Sequence, residues 1–195
     1  MTNKYKPKKD YVDIKNISDL VPEELLLKIN LLFNKDIPKT PETADEVLIW
    51  QLASGKETDI QQHSHKQFNL ESCQLKTLNK FNELEFVQND NGDGAAGNLT
   101  NGQRISLFNR KKREGSRKGF PDVSMYIFNQ SLNLRDTVFC EFKKIGTPSA
   151  IHLTQEQLDW FLKLNSMGFN AYITNNPIFF RDVVMKDIRG FFKED

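Results

Sequence analysis

Lys118-Gly119-Phe120-Pro121-Asp122-Val123 and Val138-Phe139-Cys140-Glu141-Phe142-Lys143 are the two stretches on which the reading of this sequence turns. In the second, strand geometry sends Glu141 and Lys143 to one face and Phe142 to the other, because successive side chains alternate. Charges in an otherwise apolar strand are costly to bury unless they are paired or bind an ion. The first stretch places an acid after a proline at the start of another strand, which can lie beside Glu141. Two neighbouring carboxylates repel in a low-dielectric setting, and a divalent cation is the usual means of keeping both ionised. A hard cation such as Mg²⁺ takes a few carboxylate oxygens, keeps several waters, and leaves room for a phosphate oxygen and an attacking water. Lys143 then helps orient or deprotonate that water and offsets charge on a phosphorane-like transition state. The triplet by itself is weak, since Asp13-Ile14-Lys15 has the same acid-x-Lys form near the N-terminus. Its bland alternative is an edge-strand ion pair, and that of Pro121-Asp122 is a turn leading into a strand.

The whole chain of 195 residues, 38% hydrophobic and 27% charged, has the composition of a globular protein with one ordinary core. No run approaches the roughly 18 apolar residues of a membrane span, and no apolar stretch follows the early lysines as in a signal peptide. An intracellular, cytoplasmic protein with no membrane partner is expected. Cys73 and Cys140 lack paired-ligand spacing, so both read as small core residues rather than a disulfide or zinc site. A net charge of +1 gives no support to wholesale electrostatic binding of nucleic acid, so any electrostatic case is local. The local exception is the basic run Arg104, Arg110, Lys111, Lys112, Arg113, Arg117 and Lys118, opposed only by Glu114 and leading directly into Pro121-Asp122.

Working outward, the pattern predicts helices over 22–34 and 40–55, then a polar linker over 56–67. A helix over 70–83 follows, with strands at 85–88, 104–108, 122–128 and 137–143. A helix over 154–168, a strand at 170–174 and a helix over 177–188 close the chain. This order predicts an α/β fold with a mixed sheet flanked by helices, preceded by an α-helical N-terminal extension. The expected division is 1–67 for the extension and linker and 68–195 for the main domain.

Glu71 shares a helix face with Gln74, Leu75 and Leu78 and is the candidate third acid. Its alternative is a partly exposed residue favoured by the helix dipole. Gln157 projects with Trp160, Phe161 and Leu164 toward the sheet. It also completes a Thr154-x-x-Gln157 capping box, in which it would merely satisfy a backbone amide. His63 and His65 are too few for a metal site. The run Asn89–Gly94 opens like a calcium loop, but Thr100 stands where a bidentate glutamate is needed, so it reads as a turn.

Taken together, Glu71-Ser72-Cys73-Gln74, Lys118-Gly119-Phe120-Pro121-Asp122, Glu141-Phe142-Lys143 and Leu153-Thr154-Gln155-Glu156-Gln157-Leu158-Asp159-Trp160 resemble, in order and spacing, the PD-(D/E)XK superfamily. More narrowly they resemble its VRR-NUC nucleases, in phage or prokaryotic stand-alone form. The resemblance covers roughly 70–174 and implies a restriction endonuclease-like αβββαβ core. It implies Mg²⁺ or Mn²⁺ held by Asp122, Glu141, Glu71 and the backbone carbonyl of Phe142, with Lys143 and Gln157 completing the catalytic set. It further implies an endonuclease acting on branched or otherwise structured DNA in a prokaryotic or phage-infected cell, and a possible homodimer. Two alternatives stay open: RNA or specific duplex sequences as substrate, and a nucleic-acid-binding module that keeps the shape without the chemistry. Residues 1–67 have no counterpart in the resemblance.

Overall fold

A computed structural model describes residues 10–78, 82–89, 118–129 and 133–192. The expected strand 104–108, the far end of the Asn89–Gly94 turn and the basic residues Arg104, Arg110, Lys111, Lys112, Arg113 and Arg117 lie outside the described residues.

The chain is mixed α/β, with five described strands in one mixed sheet flanked by helices. In chain order the elements are α1 (Glu23–Leu26), β1 (Ile29–Asn30), α2 (Ala44–Ala53), α3 (Glu57–Leu78), β2 (Asn82–Gln88), β3 (Val123–Asn129) and β4 (Leu134–Phe142). Then come α4 (Gln155–Ser166), β5 (Asn170–Thr174), α5 (Pro177–Phe179), a π-turn (Phe180–Val184) and α6 (Met185–Gly190). The strands lie in the order β1-β5-β4-β3-β2. The pairs β2–β3 and β3–β4 are antiparallel, while β4–β5 and β5–β1 are parallel.

Alternation along β4 divides the core between two faces. Val138, Cys140 and Phe142 pack with Met125, Tyr172, Ile60 and Phe68 of α3, and the C-terminal helical residues Phe180, Val184 and Ile188. Phe139 packs on the other face with Ala171, Ile173, and Leu158, Phe161 and Leu164 of α4. Val12, Ile14 and Val21 join that second cluster, so the N-terminal residues help close this face. Among the described residues no helix is long and apolar enough to cross a membrane.

Three expectations are corrected. The helix expected over 22–34 is cut to the single turn α1, and Ile29–Asn30 become a parallel edge strand on β5. Lys28 holds this strand in place, its ammonium reaching Asn165 Oδ1 at 2.8 Å and Asn170 Oδ1 at 2.6 Å. Pairing to an open sheet edge outweighs the modest helix propensity of a segment containing Ile29, Asn30 and Asn34. The polar stretch 56–67 is not a linker but the first half of α3, which runs straight across the boundary placed between residues 67 and 68. Its inner stripe includes Ile60, Ser64, Phe68, Ser72 and Leu75, and two serines in a buried stripe hide the apolar period. Cys73 is exposed; only Cys140 is a core residue.

Elsewhere the structure follows the sequence closely. Thr43 caps α2, and its hydroxyl accepts from the Glu46 amide at 3.2 Å. The expected strand 170–174 is β5, and the expected helices over 154–168 and 177–188 appear as α4 and the closing helical run.

Candidate active site

Antiparallel pairing of Val123 with Cys140 brings Asp122, one residue before β3, level with Glu141 near the end of β4. The two residues clasp each other. The Asp122 amide donates to Glu141 Oε2 at 3.1 Å, and the Phe142 amide donates to Asp122 Oδ2 at 2.9 Å. Lys143 returns to the same place from the strand end, its ammonium 2.5 Å from Glu141 Oε1. Both side chains of this ion pair are only 3% exposed. The chain after Phe142 is anchored by the Lys143 amide, which donates to the Thr174 carbonyl at 2.9 Å, and by Asn175 Nδ2, which donates to the Lys144 carbonyl at 3.1 Å.

Gln157 completes the expected capping box and also points toward the sheet, onto Glu141. Its side-chain oxygen accepts from the Thr154 amide at 2.9 Å, while the Thr154 hydroxyl accepts from the Gln157 amide at 3.3 Å. Its side-chain nitrogen donates to Glu141 Oε1. The capping box therefore fixes the rotamer that aims the amide at the carboxylate.

Gly119 explains how the Pro121-Asp122 turn comes so close to α4. Its φ of +74° lies in the left-handed region, and a Cβ there would stand 2.6 Å from Glu156 Cβ and 2.8 Å from the Gln157 nitrogen. Lys118 pairs with Glu156.

The expected third acid, Glu71, is elsewhere. It is paired with Arg189 at 2.9 Å, and its place on the inner side of α3 is accounted for by that ion pair. The acid that α3 brings to the site is Glu57, fourteen residues earlier in the chain, or about 21 Å along the helix axis. Its carboxylate accepts from the Lys144 amide and senses the charges of Lys143 and Asp122. The sequence signal that finds Glu57 is an acid opening a helix whose inner stripe admits serine. His65 does not turn toward the site; it stacks on Phe86 with ring centroids 4.5 Å apart.

Among the described residues, acidic side chains dominate the electrostatics of the cluster. Burial pushes the Glu141 carboxyl well above the usual carboxylate range, and Asp122 pushes it further against the opposing pull of Lys143. Burial and Asp122 also raise Glu57. For Lys143, burial works to release the proton, but Glu141, Glu57 and Asp122 outweigh it and hold the ammonium charged. Among the described residues one buried lysine thus faces three carboxylates, a donor set of oxygen atoms that fits a hard divalent cation. As they stand, no three His, Cys, Asp or Glu side chains among the described residues form a ready-made metal cage. A cation would take up Glu141 oxygens that now accept from Lys143, Gln157 and the Asp122 amide.

Of the expected site residues, the structure brings together Asp122, Glu141, Phe142, Lys143 and Gln157, with Lys118 close by on the loop. It separates Glu71 from them. Comparison with protein-family models, curated proteins and solved structures found no match to this chain.

Proposed function

We propose that the chain is a metal-dependent phosphodiesterase, and within that class a DNA endonuclease of the VRR-NUC branch of the PD-(D/E)XK superfamily. The observation that carries this reading is the buried meeting of Asp122, Glu141, Lys143 and Gln157 at adjacent strand ends, with Glu57 beside them. Among the described residues the element run α3-β2-β3-β4-α4-β5 is αβββαβ in order, which supports a restriction endonuclease-like core.

Asp122, Glu141 and Glu57 would hold Mg²⁺ or Mn²⁺, which supplies a Lewis acid for the phosphate and lowers the pKa of an attacking water. Lys143, held charged by its acidic neighbours, serves to orient the water and to offset charge on the phosphorane-like transition state. Gln157 keeps Glu141 in one orientation. The basic run ending at Lys118 supplies phosphate contacts that position a strand without reading its sequence, which favours a substrate chosen by shape, such as branched DNA.

The test is cleavage by the purified protein. With Mg²⁺ or Mn²⁺ it should nick DNA, prefer four-way junctions or flaps to linear duplex, and bind more weakly as salt rises. Asp122→Ala should abolish cleavage and leave DNA binding largely intact. Equal cleavage by wild type and Asp122→Ala, or no cleavage of any nucleic acid with either metal, overturns the reading.

A further inference from the structure

We propose that Trp160 is a positioning residue that sets where Asp122 stands relative to Glu141 and Gln157. Its effect on metal binding rests on the reading above, whereas the geometry stands without it. The indole N–H of Trp160 donates to the Lys118 carbonyl at 3.1 Å. Its ring meets Phe120 edge-on, with centroids 5.0 Å apart, and Phe120 meets Phe139 of β4 in the same manner at 5.5 Å. Trp160 lies three residues beyond Gln157 on α4, so one helical face carries both the amide that donates to Glu141 and the indole that grips the loop before Asp122.

The loop from Lys118 to Pro121 thus has two kinds of tether. The Lys118–Glu156 ion pair is exposed, and such pairs hold weakly. The Trp160 contact combines a directional hydrogen bond to the backbone with edge-on ring packing, the geometry that aromatic pairs prefer. A tryptophan present only to fill the core would need the rings but not the bond to the loop carbonyl. The bond fixes the backbone just before the Pro121-Asp122 turn, and Asp122 in turn exchanges hydrogen bonds with Glu141 and Phe142.

The experiment compares wild type, Trp160→Phe, which keeps a ring but loses the donor, and Trp160→His, which restores a ring N–H. Amide hydrogen exchange is followed by NMR on metal-free full-length protein, and Mn²⁺ affinity by calorimetry. In Trp160→Phe the Asp122 and Phe142 amides should exchange about tenfold faster, while Met125 and Val138 in the same strands stay protected. Trp160→His should recover part of that protection. Mn²⁺ binding should weaken several-fold in Trp160→Phe. Unchanged exchange at Asp122 and Phe142, or a rise spread evenly over β3 and β4, overturns the proposal. A wild type that fails to bind Mn²⁺ sinks the metal reading alone, because the exchange pattern still decides the role of Trp160.

Discussion

Replacing Gly119 with alanine should damage the protein more than any other single methyl added to a described glycine. The added carbon would stand 2.6 Å from Glu156 Cβ, 2.7 Å from the Glu156 carbonyl carbon and 2.8 Å from the Gln157 nitrogen. Two of these are helix backbone atoms, which cannot swing aside. The φ of +74° adds left-handed strain of about 1–2 kcal/mol for a residue bearing a Cβ. Forcing a methyl into a filled contact costs about 1–3 kcal/mol, so the two effects together come to roughly 2–5 kcal/mol. For a chain of this size that is a fall in Tm of about 4–20 °C. Gly168 is the control: its φ is +88°, but nothing lies within 4 Å of the added carbon, so Gly168→Ala should carry the strain alone. Scanning calorimetry of the two variants separates the contributions. Equal losses in Tm, or a Gly119→Ala protein as stable as wild type, refute the claim that this glycine is required by the close approach of the loop to α4.

Two further outcomes follow from the placement of charges. Glu57→Gln should weaken Mn²⁺ binding and cleavage several-fold, whereas Glu71→Gln, which only loses its bond to Arg189, should leave Mn²⁺ affinity unchanged; titration calorimetry distinguishes them. Burial raises the Asp136 carboxyl above its usual range, against the Thr137 amide that favours the charged form. A carboxyl raised in this way favours folding while protonated, and that contribution is lost as pH climbs from the ordinary carboxylate range through the raised value. Asp136→Asn should therefore melt higher than wild type at neutral pH and lose its advantage in acid, as read by Tm against pH.

The central strands and most of the site were legible because both depend on local pattern. Alternation in Val138–Lys143 separates Phe142 from Glu141 and Lys143 in any strand, and Thr154 with Gln157 declares the start of α4. What was not legible depends on partners distant in sequence. Ile29–Asn30 is a strand only because β5 offers an edge, 144 residues beyond each pairing position. Glu71 was drawn toward the site by its helical face, but Arg189, 118 residues away, claims it. Glu57 was missed because buried Ser64 and Ser72 make the inner stripe of α3 read as polar, so the helix appeared to begin too late.

Asn89 lies just after β2, on one side of the long segment that returns the chain to β3. Its amide donates to the Asp122 carbonyl at 2.7 Å, and its side chain donates to the Pro121 carbonyl at 2.8 Å and to Ser124 Oγ at 2.9 Å. Asn89 thus ties the end of β2 to the turn that enters β3, so Asp122 is braced from the sheet on one side and, through the Lys118–Trp160 bond, from α4 on the other.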